Sequence, residues 1–191
     1  MKSFQEYLEL MIQEGVNDPG IFKAFFTAGG PGSGKSYVAG RAGVGKLSPY
    51  GLKVVNSDNQ YEKLLRDAGM AMNPENIFSP KGQEIRGRAK ALTAKQQTGY
   101  IQGRLGLLID GTGKDYAKIK KTSDSLRKIG YDSYMLFVNT SLDTAQQRNK
   151  MRERQLDENE VAEMWNAVQK NMGKFQSYFG RDKFILIDNN N

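Results

Sequence analysis

Five short apolar runs punctuate the chain: Ile21–Ala28, Leu52–Asn56, Leu105–Asp110, Ser133–Asn139 and Phe184–Asp188. Each is apolar almost throughout rather than at alternate positions, as expected of parallel strands covered on both faces. Between them the pattern changes to helical spacing, around 35–41, 59–68, 81–99, 115–129, 142–154 and 158–176. Strand and helix in alternation predict a parallel α/β sheet joined by right-handed crossovers. Ahead of the first run, Ser3 and Glu6 form a capping box. Phe4, Tyr7, Leu8 and Met11 then share one helical face, and Asn17-Asp18-Pro19-Gly20 makes a turn. The expected organisation is an N-terminal helix over 1–20 and one domain over 21–191. Gly69 and Gly130 stand where helix C-caps fall. The stretch 70–82, with Pro74 and Pro80, reads as a loop over one edge.

Composition narrows the picture. A chain of 191 residues can bury one sizeable core. With 38% hydrophobic and 26% charged residues it reads as a soluble globular protein. No apolar run approaches the roughly 20 residues of a membrane helix, and the acids within MKSFQEYLELMIQEG argue against a signal peptide. A cytoplasmic location and no membrane partner are therefore expected. The absence of cysteine excludes disulfides and thiolate metal sites. The absence of histidine leaves acid–base chemistry to Asp, Glu, Lys or Tyr. A net charge of +7 points to an anionic partner, nucleotide or nucleic acid, or else serves only solubility.

The first strand runs straight into Gly29-Gly30-Pro31-Gly32-Ser33-Gly34-Lys35-Ser36. This fits G-x-x-x-x-G-K-[ST] and lies between a predicted strand and a predicted helix, the context that pattern requires. Glycines let successive backbone N–H groups converge on a phosphate. The helix starting near Lys35 aims its positive end at the same place. Lys35 can reach the β- and γ-phosphates of a nucleoside triphosphate, and the Ser36 hydroxyl can ligate Mg²⁺. The nucleotide-binding stretch is taken as Gly29 to Tyr37.

Other candidates follow the later strands. LGLLID ends in Asp110, a Walker-B-like acid placed for the metal or the acceptor, and Gly111-Thr112-Gly113 follows. VVNSD ends in Asp58, placed at a strand terminus to meet a second substrate and accept its hydroxyl proton. Its competing role is capping the next helix, which Ser57, Asp58 or Asn59 could each supply. In QQRNKMRER, Arg148 and Arg152 share a helical face, with Arg154 offset. They can neutralise a transferring phosphoryl group or simply be solvated. Arg86-Gly87-Arg88 with Lys90 and Lys95 either lines an acceptor pocket or forms a wet helix face.

With these residues in place, the chain resembles the zeta-toxin and polynucleotide-kinase branch of small P-loop kinases. GGPGSGKS, VVNSDNQY, LLIDGTGKD and NTSLDTAQQRNKMRER carry the likeness across about residues 21–188. The resemblance implies a three-layer αβα sandwich with five parallel strands in the order 2-3-1-4-5 and a short lid. It implies ATP and Mg²⁺, Asp58 as catalytic base, Asp110 and Thr112 at the acceptor or metal, and Arg148 and Arg152 as lid arginines. Zeta toxins, which phosphorylate UDP-N-acetylglucosamine, have glutamate where this chain has Asp110, so the acceptor stays open. A polynucleotide 5′-hydroxyl kinase is the alternative acceptor reading. From other classes, a GTPase lacks support because VNTSLD is not an N-K-x-D guanine reader. A nucleotide-binding module without chemistry is opposed by the combination of Lys35, Ser36, Asp58 and Asp110.

Overall fold

The computed structural model describes residues 21–37, 51–151 and 156–190. The predicted N-terminal helix, its capping box, the continuation of the helix past Tyr37, and Arg152 and Arg154 lie outside the described residues. The element order is β1 (Lys23–Ala28), β2 (Lys53–Val55), α1 (Ser57–Asp67), α2 (Pro74–Phe78), α3 (Pro80–Gln102), β3 (Leu107–Ile109), α4 (Tyr116–Lys128), β4 (Asp132–Asn139), α5 (Leu142–Lys150), α6 (Glu158–Phe179) and β5 (Phe184–Asp188). The chain divides into two compact units, one of residues 55–104 and one of the remainder.

The sheet order is β2-β3-β1-β4-β5. β1 pairs in parallel with β3 on one side and β4 on the other, and β4 pairs in parallel with β5. The apolar runs explain this placement: β1 is buried at all six positions, and β4 at Ser133 to Val138. On one face Phe25, Leu108, Tyr134, Leu136 and Ile185 pack with Leu52, and the rings of Phe25 and Tyr134 stack at 4.9 Å. From the other face Phe26 meets Phe179 of α6, with ring centroids 6.0 Å apart. Wholly buried side chains such as Phe25, Phe26 and Phe137 each contribute about 1.5–3 kcal/mol of transfer free energy.

Residues 55–104 have a core of their own. Tyr61 and Leu65 of α1, Ile77 of α2, and Ile85 and Ala89 of α3 pack together. The long helix α3 touches this core with little more than the stripe Ile85, Ala89 and Thr93 and is exposed over most of its remaining surface. Gly69 and Gly130 end α1 and α4 with φ of +66° and +97°, as the sequence predicts. The expected loop at 70–82 needs correction. It holds α2 and the start of α3, because Pro74 and Pro80 occupy first helical positions behind the N-caps Asn73 and Ser79. The Asn73 side chain accepts from the N–H of Asn76 and Ser79 Oγ accepts from that of Gly82.

Candidate active site

The glycine loop leaves the C-terminal end of β1, and helix begins again at Lys35. Gly29 to Ser33 are buried, Lys35 is half-buried, and Ser36 and Tyr37 are exposed. A loop that turns its N–H groups inward must satisfy its carbonyls by other means. Here Lys35 Nζ donates to the carbonyls of Gly29 and Gly30 at 2.6 and 3.0 Å. Asn189 Nδ2 donates to the Ser33 carbonyl at 2.8 Å, and the Tyr37 N–H to that of Gly34 at 3.0 Å. Arg148 Nη1 reaches the Gly32 carbonyl at a long 3.4 Å and the Asn189 carbonyl at 2.9 Å. Gly32 has φ +73°, and a Cβ there would lie 2.5 Å from the Ala145 carbonyl oxygen. No other residue fits both the backbone and the space.

Asp110 follows β3 beside this loop. Thr27, wholly buried on β1, donates its hydroxyl to Asp110 Oδ1 at 2.6 Å and accepts the Gly111 N–H at 3.1 Å. A bond that short to a carboxylate is charge-assisted and sets the direction of the side chain. The Gly29 N–H donates to the Thr112 carbonyl at 2.9 Å, tying the start of the glycine loop to the Asp110–Gly113 turn. Helix α6 braces both. Asn171 Nδ2 donates to the carbonyls of Gly113 and Lys114, and Gln169 Nε2 to Asn139 Oδ1. Trp165 Nε1 donates to the Thr140 carbonyl, and its ring lies against Gly30, where a Cβ would be 3.3 Å away.

Of the sequence-predicted site residues, the structure thus gathers Gly29, Gly30, Pro31, Gly32, Ser33, Gly34, Lys35, Ser36, Asp110, Thr112 and Arg148 around one corner of the sheet. Asp58 and Arg86 belong to the 55–104 unit. The cap of α1 is none of the three residues the sequence suggested. It is Asn56, whose side chain accepts from the Asp58 N–H at 2.7 Å. Asp58 therefore stands in the first turn, where the helix dipole favours a carboxylate, without capping the helix. Arg86 lies over the buried ring of Tyr61 at 5.1 Å. Arg88, Lys90 and Lys95 are exposed. Arg88 also edges an open groove of about 370 Å³ between α1 and α3, with Leu64, Asp67, Lys81, Glu84 and Ile85.

Thr27, Asn171, Trp165 and Asn189 escaped the sequence reading. Thr27 alone carried a signal, as a hydroxyl within the buried run AFFTA that had to find a partner. Among the described residues no cluster of three or more carboxylates forms a metal cage. Ser36 and Asp110 offer one hydroxyl and one carboxylate. Such a sparse set of oxygen donors suits Mg²⁺, which completes its shell with phosphate and water.

The zeta toxin family model matches residues 12–191. The chain belongs to the zeta toxin family. That makes it a P-loop kinase in kind, a nucleotide-binding transferase, and the parallel 2-3-1-4-5 sheet is the fold its resemblance implied. Solved structures share the fold at low identity. A structure from the PezAT toxin–antitoxin system of Streptococcus pneumoniae is 14% identical at a TM-score of 0.60, covering 98% of this chain and 79% of its own. An AvrRxo1-ORF1:ORF2 structure with ATP is 16% identical at 0.64, covering 95% of this chain and 57% of its own. The Pnkp1/Rnl/Hen1 RNA repair complex is 15% identical at 0.60, covering 85% and 48%. The chain thus spans only about half of the latter two. No curated protein sequence matches it. Among the described residues, no helix is long and apolar enough to cross a membrane.

Proposed function

We propose that the protein transfers the γ-phosphoryl group of ATP to a hydroxyl of an anionic acceptor, a nucleotide sugar or nucleotide in the manner of zeta toxins. The observation that carries the reading is the joining of Gly29–Ser36 to Asp110 and Thr112 through the Thr27 hydroxyl and the Gly29 N–H. Backbone N–H groups of the loop beyond Gly29 and of the helix start bind the phosphates. Lys35 exchanges its loop carbonyls for β- and γ-phosphate oxygens. Asp58 takes the proton of the acceptor hydroxyl, whose oxygen attacks the γ-phosphorus as the bond to the β–γ bridging oxygen breaks and ADP leaves. The relief of Asp58 from capping supports this role. Arg148 and Arg152 neutralise the transferring group, while Asp110, Thr112 and Arg86 position the acceptor. Mg²⁺, held by Ser36 and Asp110, would neutralise phosphate charge.

A 5′-hydroxyl polynucleotide kinase is the second reading. The net charge of +7 and the exposed Arg88, Lys90 and Lys95, in a sequence with no acid between Glu84 and Asp110, favour it. Two structural neighbours come from two-component assemblies, a toxin–antitoxin system and an ORF1:ORF2 pair, which supports a protein partner for this chain as well. A screen with γ-labelled ATP over nucleotide sugars, nucleosides and 5′-hydroxyl oligonucleotides tests the proposal. Label is expected on a nucleotide sugar or nucleotide. Label on oligonucleotides alone selects the second reading, and nucleotide binding without transfer leaves a binding module.

A further inference from the structure

The residues just past β5 do more than end the sheet. The Asn189 N–H donates to the Asn139 carbonyl at 2.9 Å, continuing the β4–β5 ladder one step. Its own carbonyl accepts from Arg148 Nη1 at 2.9 Å, and its side-chain Nδ2 donates to the Ser33 carbonyl at 2.8 Å. One residue thus connects the end of β4, the arginine of α5 and the glycine loop. Its approach is close: a Cβ on Gly34, which has φ +84°, would run into Asn189 Nδ2. The neighbouring Asn190 faces elsewhere, accepting the Ser141 N–H at 2.6 Å.

We propose that Asn189 is a positioning residue for nucleotide binding: its amide holds the Ser33 carbonyl outward and so keeps the glycine loop preformed around the phosphates. Its backbone groups are taken up by Asn139 and Arg148, which leaves the side-chain amide to the loop. Among the loop carbonyls, that of Gly29 leans on Lys35, a donor that must leave when phosphate arrives, and that of Gly30 on Lys35 and the Ser33 N–H. The Ser33 carbonyl leans on Asn189, which has no such second task. A loop that keeps its shape as Lys35 turns away binds without a reorganisation cost. The inference rests on the proposed triphosphate site.

The test measures Mg·ATP affinity by the fluorescence of Trp165, the chain's single tryptophan, which abuts Gly30. Asn189→Leu keeps the volume and removes the donor, and Asn189→Ala removes both. Circular dichroism checks the fold, so that either variant suffices if the other fails to fold. Each is expected to raise Kd for Mg·ATP about tenfold, the loss of roughly one hydrogen bond, with KM for ATP rising and kcat at saturating ATP near wild type. Asn190→Ala, in the same tail but off the loop, should leave Kd within about twofold, since substitutions away from such contacts act weakly. The inference is overturned if the Asn189 variants bind as wild type does, or if Asn190→Ala loses as much affinity as they do. If the wild type itself binds no Mg·ATP, the triphosphate site fails and the inference with it.

Discussion

The glycine-loop corner and the 55–104 unit are built on different plans. In the corner, candidate residues are locked by contacts that jump far along the chain. Thr27 reaches Asp110, Gly29 reaches Thr112, Asn189 reaches Ser33 and Asn171 reaches Gly113. In the 55–104 unit, Asp58 and Arg86 are carried on helices whose shared core is a single small cluster, and α3 leaves most of its surface exposed. The difference follows from what each must do under the proposed reaction. Converging several N–H groups on one phosphate needs backbone placement within a fraction of an ångström, which the end of a packed central strand supplies. Recognition of an acceptor by side chains on helices tolerates substitution, so one scaffold can serve different acceptors.

The sharpest way to break this comparison is Asp58→Asn. Asparagine keeps the shape, and Asn56 keeps the cap, so the fold should stand while kcat falls about 10²–10⁴-fold. ATP affinity should change little. Steady-state kinetics on the folded variant decide, and an unchanged kcat removes Asp58 from the chemistry. Next in size, Lys35→Ala should cost about 10²–10³-fold in phosphoryl transfer with a melting temperature near wild type. Turnover at the wild-type rate would show that the loop does not handle the transferred group.

Thr27→Val probes the locked plan itself. It keeps the shape of a buried side chain and strips the hydroxyl from Asp110. The expected result is a loss of about tenfold in kcat/KM, with a stability cost of about 1–3 kcal/mol for the stranded acceptor. Denaturant unfolding and kinetics measure the two together.

The smallest effect concerns the α4–α6 seam. There Asp124 accepts from Lys120 Nζ at 2.7 Å and from the Tyr178 hydroxyl at 2.6 Å. The Lys120 hydrogen bond, then that of Tyr178, holds the Asp124 carboxyl below its ordinary 3.8. Its contribution is therefore whole above the ordinary carboxylate range and lost as pH falls through the lowered folded value. Lys120 is raised above 10.5 by its bond to Asp124, and Tyr178 above 10.0 chiefly by burial. Their contributions are whole below those values and lost as pH rises through the raised ones. Asp124→Asn should lower the melting temperature by at most a few degrees at neutral pH, with the difference vanishing in strong acid. Thermal melts across pH check this.

How much was legible follows the same division. The strands, the glycine loop and the caps at Gly69 and Gly130 are local patterns, and a sequence displays them. Asn189 looked like part of a terminal Asn run. It touches Ser33 but stands 156 residues after it in the chain, so no local pattern joins them. The helix Pro74–Phe78 was missed because proline marks both loops and first helical turns. The cap at Asn56 was missed because four polar residues in succession, Asn56 to Asn59, could each have served.

The central claim is that Gly29–Ser36 binds a nucleoside triphosphate. Thermal unfolding of the wild type with and without Mg·ATP tests it most directly, because a ligand that binds only the native state must stabilise it. At a hundredfold excess over Kd the gain is about 2.7 kcal/mol, a rise of several degrees that Lys35→Ala should diminish. A melting temperature unmoved at millimolar Mg·ATP would contradict the account.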